Sequence, residues 1–310
     1  MFDPGRRKFC AGVAAAAVGS FAPVGAVRRA SAAGDRMIQR AIPASGETVP
    51  VIGMGTSGTF DVGADAESRA PLREVLRVFY DAGASLIDTS PMYGRAEAVT
   101  GALVAELDRA EGTFFATKVW TTGREAGLDQ IEASMRLLQT EQLDLLQIHN
   151  LVDWRTHART LAQLADEDRI RYDGITHYTV GSHGDLEAVL RERKFDFVQF
   201  NYSIATRAAE ERLLPFCADQ GIAVLINRPF EDGALFAKVR GRPLPDWATE
   251  IDCSSWAQVF LKFVLSHPAV TCVIPATSKE KHMRDNLQAG FGRLPDAALR
   301  ERMAADVAKL

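Results

Sequence analysis

Four ionisable residues, Asp88, Tyr93, Lys118 and His149, stand where apolar runs stop. The runs are ASLID at 84–88, TFFATK at 113–118 and LDLLQIH at 143–149, and Tyr93 follows the first of them in SPMYG. Runs of this length and composition read as buried β-strands. Charged groups at the ends of buried strands are costly unless they are paired or used. In parallel α/β folds the C-terminal strand ends are where active sites are built. A phenol near pKa 10 is a weak acid at neutrality. A neighbouring ammonium stabilises its phenolate, and a carboxylate keeps that ammonium charged and oriented. A histidine nearby can donate to a developing oxyanion. The set therefore suits protonation of a carbonyl oxygen, as in carbonyl reduction by a nicotinamide cofactor. Tyr93 would be the acid, Lys118 its modulator, Asp88 the anchor of Lys118 and His149 the oxyanion donor.

Such residues need a scaffold that brings four strand ends together. Residues 33–52 read as a β-hairpin with a Gly46 turn, and Gly53-Met54-Gly55-Thr56 ends the first core strand. Strands are then expected at 84–89, 113–119, 143–149, 172–178, 195–202, 222–228 and 270–275, separated by helices. The helices are expected at 71–82, 96–108, 128–138, 156–168, 184–193, 207–220, 254–266 and 279–288, with a last one at 296–308. Leu128, Ile131, Met135 and Leu138 show the helical spacing clearly. Eight strand–helix units in one run predict an α/β fold of the (β/α)8 TIM-barrel type, with an N-terminal hairpin and an extra C-terminal helix. The loop at 229–253, with Phe230, Phe236 and Trp247, reads as a functional cover.

The chain has 310 residues, 47% hydrophobic and 25% charged, with a formal net charge of -4. That composition fits a globular protein and offers no basic excess for nucleic acid. The N-terminus differs in kind. Gly5-Arg6-Arg7-Lys8-Phe9 precedes an Ala/Val/Gly-rich stretch, 11–27, and then Ala30-Ser31-Ala32. A charged start, apolar middle and small-residue cleavage site make an export signal. The paired arginines resemble a twin-arginine (Tat) signal, although Gly5 stands where Ser or Thr is usual and Cys10 where Leu is usual. The expected organisation is a cleaved signal at 1–32 and a barrel at 33–310, delivered by the Tat machinery to the periplasm or beyond. Gly19 and Pro23 interrupt the apolar stretch, so no stable membrane span is expected. Cys217, Cys253 and Cys272 would remain as buried thiols, without metal-ligand spacing.

IDTSPMYG, ATKV and LLQIHN together resemble the aldo/keto reductase superfamily. GMGT at 53–56, QFNYS at 199–203 and IPATSK at 274–279 follow in family order, so the resemblance spans about residues 37–290. It implies that Asp88, Tyr93, Lys118 and His149 form a catalytic tetrad and that NADP (NAD being possible) lies across the barrel mouth. It places Gly55, Thr56, Thr176, His177, Gln199, Arg228, Thr277, Ser278, Lys279, His282 and Asn286 against the cofactor, and Trp120 and Asn150 against a small carbonyl substrate. Five residues depart from the family pattern, one of them Ala276, where a lysine often follows Ile-Pro. Thr176-His177 replaces a common Ser-Asn pair, Arg228 stands where a tyrosine often stacks on the nicotinamide, and His282 stands where an arginine often meets the 2′-phosphate. An exported NADP(H)-binding sensor with little turnover is the second expectation, because free NADPH is scarce outside the cytoplasm. A metal-dependent barrel enzyme fits poorly, since the other strand ends carry Lys118, Thr176, Asn201 and Arg228.

Overall fold

The structure, a computed structural model, describes residues 36–310, and the export signal expected at 1–32 lies outside them. Strands β1 (Gln39–Ala41) and β2 (Thr48–Pro50) pair antiparallel, with Ala41 opposite Thr48. Gly46 turns the hairpin at a φ of 78°. Eight parallel strands follow: β3 (Met54–Gly55), β4 (Leu86–Asp88), β5 (Phe114–Val119), β6 (Leu143–His149), β7 (Ile170–Thr176), β8 (Phe197–Asn201), β9 (Ala223–Asn227) and β10 (Cys272–Val273). They pair in sequence order from β3 to β10. The Ile52–Val273 and Gly55–Ala276 bridges join the two ends, so the sheet closes on itself. Closure explains why Gly55 is a glycine, since a Cβ there would meet the Ile274 carbonyl oxygen at 2.9 Å.

Helices α1 (Ala66–Asp81), α2 (Ala96–Glu106), α3 (Arg124–Leu138), α4 (Trp154–Asp166), α5 (His183–Glu192) and α6 (Leu213–Gln220) alternate with strands β3 to β9. The short α7 (Ala234–Lys238) lies in the long loop, followed by α8 (Trp256–Leu265), α9 (Glu280–Gln288) and α10 (Ala297–Ala308). The predicted (β/α)8 architecture, hairpin and last helix are all present.

Helix α1 starts five residues earlier than expected. Pro71 suggests a first helical position, where its missing N–H costs nothing. The start instead belongs to Asp65, whose Oδ1 accepts from the Ser68 N–H at 2.8 Å. Side-chain capping outweighs the proline because it satisfies an otherwise orphaned donor. The expected helix at 207–220 divides into a short turn at Ala208–Glu210 and α6.

Strand side chains alternate in and out with period two. Outward residues such as Phe115, Leu146, Val198 and Ile226 join the large core beneath the helices. Inward residues change character along each strand. Near the N-terminal end they are Phe114, Leu145, Tyr172, Phe197 and Ala223, and Ile42 and Val49 of the hairpin complete that cluster. Near the C-terminal end the same faces carry Asp88, Lys118, Gln147, Thr176 and Gln199, all buried. The hairpin seals one end of the barrel and the polar chemistry collects at the other.

Candidate active site

Asp88 ends β4 and Lys118 lies one residue before the end of β5, and their side chains point inward. Lys118 Nζ donates to Asp88 Oδ2 at 2.7 Å and to the Thr89 carbonyl at 2.6 Å. The pair is almost wholly buried, with Lys118 at 0% and Asp88 at 2% exposure. The other Asp88 oxygen, Oδ1, accepts from Gln199 Nε2 at 2.8 Å and from Gln147 Nε2 at 3.1 Å. A buried ion pair is tolerable only when its remaining lone pairs are satisfied in this way. The Asp88 carbonyl also accepts from the Thr56 hydroxyl at 3.1 Å, which anchors the first strand to the second.

Tyr93 sits above this pair. A turn between Ser90 and Tyr93 leads out of β4, its Tyr93 N–H donating to the Ser90 carbonyl at 3.0 Å. Gly94 follows at a φ of 62°, packed so closely on Asp61 that a Cβ would lie 2.5 Å from its carboxylate. Lys118 Nζ lies 5.1 Å from the Tyr93 ring centroid, and the ammonium and the Ser57 hydroxyl stand beside the phenol oxygen. Burial raises the Tyr93 phenol above its ordinary value, and Lys118 only partly opposes that. The tyrosine is therefore a neutral O–H donor at neutral pH. Burial works against the Lys118 charge, but Asp88 and Tyr93 together hold the ammonium above its ordinary range.

His149 ends β6, and its ring meets the Tyr93 ring edge-on at 6.2 Å. Burial, reinforced by Lys118, lowers its pKa to about 3, so the imidazole is neutral. Its Nδ1 lies 3.3 Å from the Ser90 hydroxyl. With Nδ1 accepting that hydroxyl proton, Nε2 carries the remaining hydrogen and is a donor. The Trp120 ring, 6.3 Å from His149 and 42% exposed, forms one wall above them.

These groups open into a cavity of about 650 Å³ at the C-terminal mouth. Of the residues expected at the site, Gly55, Asp88, Tyr93, Trp120, His149, Asn150, Thr176, His177, Gln199 and Arg228 line it. Lys118 lies beneath the floor, fully covered. Thr56 is buried behind it. Thr277, Ser278, Lys279, His282 and Asn286 do not reach the cavity, whose wall stops at Ala276. They surround the start of α9, where Lys279 and His282 are exposed and Asn286 is buried. His177 faces the cavity, but its Nδ1 accepts from the Tyr178 N–H at 3.0 Å and its Nε2 bonds the Ser182 hydroxyl at 3.1 Å. Its imidazole is thus engaged by its own loop.

Several lining residues escaped the sequence reading. Asn227, at the end of β9, donates to the His177 carbonyl at 3.0 Å and to Gln199 Oε1 at 3.2 Å. Its Oδ1 is buried without a partner, as is Asn150 Oδ1. Counting back by two from a strand end identifies Gln147 from His149, and Asn227 as the next inward residue after Leu225. Arg228 is held by Asp232 through two hydrogen bonds of 3.1 and 2.6 Å and donates to the Tyr178 carbonyl at 3.1 Å. Pro229, Phe230 and Phe236 of the long loop also line the cavity, in accord with its expected role as a cover. Trp247 is buried elsewhere and donates to Asp306 at 3.0 Å. Among the described residues, six of the ten non-glycine residues with positive φ are Asn150, Leu151, Asp153, Arg228, Glu231 and Asp232. They belong to the loops after β6 and β9. Left-handed backbone at non-glycine residues is sparsely populated and gathers at functional sites.

Residues 51–305 match the family model described as "Aldo/keto reductase family". The chain belongs to the aldo/keto reductase family. Among its relatives is methylglyoxal reductase YeaE of Escherichia coli, 29% identical over 258 residues, which cover 81% of this chain and 89% of that protein. The NADH-specific methylglyoxal reductase of the same organism is 28% identical over 198 residues, 54% of this chain and 58% of that protein. The crystal structure of an aldo/keto reductase from Klebsiella pneumoniae with NADP and acetate superposes with a TM-score of 0.70 at 25% identity, covering 84% of this chain and 93% of that one. The protein is thus an oxidoreductase of the aldo/keto reductase type. Among the described residues no group of three His, Cys, Asp or Glu side chains is placed to hold a metal ion. No described helix is long and apolar enough to cross a membrane. Cys217, Cys253 and Cys272 are free and buried, as expected.

Proposed function

We propose that this aldo/keto reductase reduces an aldehyde or ketone to an alcohol at the expense of NADPH, with Tyr93 as general acid. The observation that carries the reading is the convergence of a neutral phenol, a neutral imidazole and a buried Lys118–Asp88 pair on the floor of one cavity. When bound, NADPH supplies the hydride that reaches the carbonyl carbon. His149 Nε2 donates to the carbonyl oxygen and orients it. The Tyr93 O–H bond breaks as that oxygen takes the proton, giving the alcohol. Lys118 stabilises the phenolate left behind, and Asp88 keeps Lys118 charged. A proton from solvent then returns the Tyr93 phenolate to the phenol.

The residues present fit a nicotinamide group. Two buried acceptors without partners, Asn150 Oδ1 and Asn227 Oδ1, lie in residues of the cavity wall. Unpaired acceptors of this kind call for N–H donors. With the His177 ring engaged by its loop and the Gln199 amide nitrogen spent on Asp88 and Gln147, Thr176 and the second lone pair of Gln199 Oε1 remain to hold a carboxamide. For the phosphate end, Lys279 and Lys281 are exposed cations, while Arg284 is tied to Glu280 at 2.7 Å. Burial and the two lysines lower the His282 pKa, so it offers a hydrogen bond rather than charge. The NADP-bound relative supports NADP, and the NADH-specific relative supports NAD as a second cofactor. Export of residues 33–310 by a Tat route stays part of this proposal, and the intact mass of protein from its native cell envelope checks it. Mixing the protein with NADPH or NADH and a panel of aldehydes should give multiple turnovers, faster with NADPH. Cofactor binding without loss of NADPH absorbance for any carbonyl would leave only the binding-protein reading.

A further inference from the structure

Gln147 is absent from the cavity wall and 0% exposed, yet it touches the centre of the site. Its Nε2 donates to Asp88 Oδ1 at 3.1 Å, and its Oε1 accepts from Gln199 Nε2 at 3.1 Å. Gln199 also donates to Asp88 Oδ1 at 2.8 Å and accepts from Asn227 at 3.2 Å. The direction of this chain is forced. At one end the Asp88 carboxylate can only accept, so both glutamines must present N–H groups. At the other end the His177 carbonyl can only accept, so Asn227 must present its N–H₂. No amide in the network can flip without setting two acceptors against each other.

We propose that Gln147 is a positioning residue for proton transfer: with Gln199 it occupies Asp88 Oδ1 so that Oδ2 alone serves Lys118, and it couples Gln199 in the cavity wall to the Asp88–Lys118–Tyr93 relay. The inference rests on the proposed carbonyl reduction. Buried charge-assisted hydrogen bonds spread the Asp88 charge over two amide dipoles. The carboxylate then presents less negative potential to Tyr93, whose phenol Asp88 raises and Lys118 lowers. The groups facing this cluster are Lys118, Tyr93 and His149, Glu97 of α2 behind Lys118, and the Cys272 thiol of β10. His177 is felt at His149, and the Arg228–Asp232 pair closes on itself at the far wall. None of these donates to Asp88 Oδ1, so without Gln147 that oxygen keeps Gln199 as its one amide donor.

Gln147→Met keeps the length of the side chain and removes the donor. The expected result is a fall of about tenfold in kcat/KM at neutral pH, with the alkaline limb assigned to Tyr93 moving up by roughly half a unit or more, and the NADPH Kd changing less than about twofold. Gln147→Glu should lose activity at neutral pH and regain it as the pH falls, when the new carboxyl is protonated and its O–H donates a hydrogen bond to the Asp88 carboxylate. NMR titration of the Tyr93 ring carbon in cofactor-free protein, assigned with Tyr93→Phe, reads the same shift without turnover. Wild-type rates and an unmoved limb in the Met variant would overturn the proposal. So would a loss of rate with the Tyr93 titration unchanged in both variants, since that is packing alone. A wild-type protein that binds NADPH but reduces no carbonyl overturns the reduction reading instead, and the NMR titration still decides the role of Gln147.

Discussion

The two ends of this barrel carry the same three kinds of side chain. At the N-terminal end Arg171 lies 5.4 Å from the Tyr172 ring centroid and pairs with Glu47 and, at 2.6 Å, with Asp144. At the C-terminal end Lys118 lies 5.1 Å from the Tyr93 ring centroid and pairs with Asp88 at 2.7 Å. The difference is what each phenol faces. The Tyr172 hydroxyl donates to Glu47 at 2.7 Å and meets Ser45 at 2.6 Å, so the hairpin uses up its hydrogen-bonding capacity. Its cation is also wet, with Arg171 37% exposed. The Tyr93 hydroxyl faces a cavity, and its cation is sealed from water. Tyrosine, cation and carboxylate become a candidate site only where the phenol is left open and the ion pair is dry.

The largest contrast should come from removing each phenol oxygen. Tyr93→Phe should lower kcat by about 10²- to 10⁴-fold, the usual worth of a general acid, with NADPH affinity retained. Tyr172→Phe should leave kcat unchanged and cost about 1 kcal/mol of stability. Equal loss of rate in both variants would erase the distinction between the ends. Next come the cations. Lys118→Met leaves Asp88 charged and unpaired in the core, which should cost about 3–5 kcal/mol in urea unfolding. Arg171→Met removes partly exposed pairs worth about 1 kcal/mol. A smaller effect concerns pH. The His149 pKa falls to about 3 in the folded chain, against about 6.5 unfolded. Between those values the unfolded state binds more protons, so stability falls as the pH falls through that window. At pH 5 the loss attributable to His149 should be about 2 kcal/mol relative to pH 7. Comparing His149→Gln with the wild type at both pH values isolates this loss.

Much of the fold is written locally. The turns at Gly46 and Gly94, the strand–helix alternation and the ends of most helices follow from residues close in sequence. The start of α1 was harder, because Asp65 and Pro71 both signal a helix start and only the Asp65–Ser68 hydrogen bond decides between them. The tetrad was legible because charged residues at the ends of apolar strands have few uses. Gln147 and Asn227 were not, since neutral amides inside apolar runs carry no charge to draw notice, and their meaning depends on partners up to 59 residues away. Arg228 was legible as a position but not as a state, because its partner Asp232 is visible in the sequence while their hydrogen bonds are not.

The sequence by itself determined an eightfold alternation and the types of group that end its strands, because hydrophobic periodicity and the cost of buried charge act along the chain. Only the tertiary structure decided which of those groups are dry, which are open and which are already spent. Closure of the barrel sets Oδ1 of Asp88 between two glutamines from other strands and turns the His177 ring into its own loop. It also covers one tyrosine with a hairpin while leaving another under a cavity. Burial and hydrogen bonding between distant strands set protonation and availability, and no local pattern encodes them.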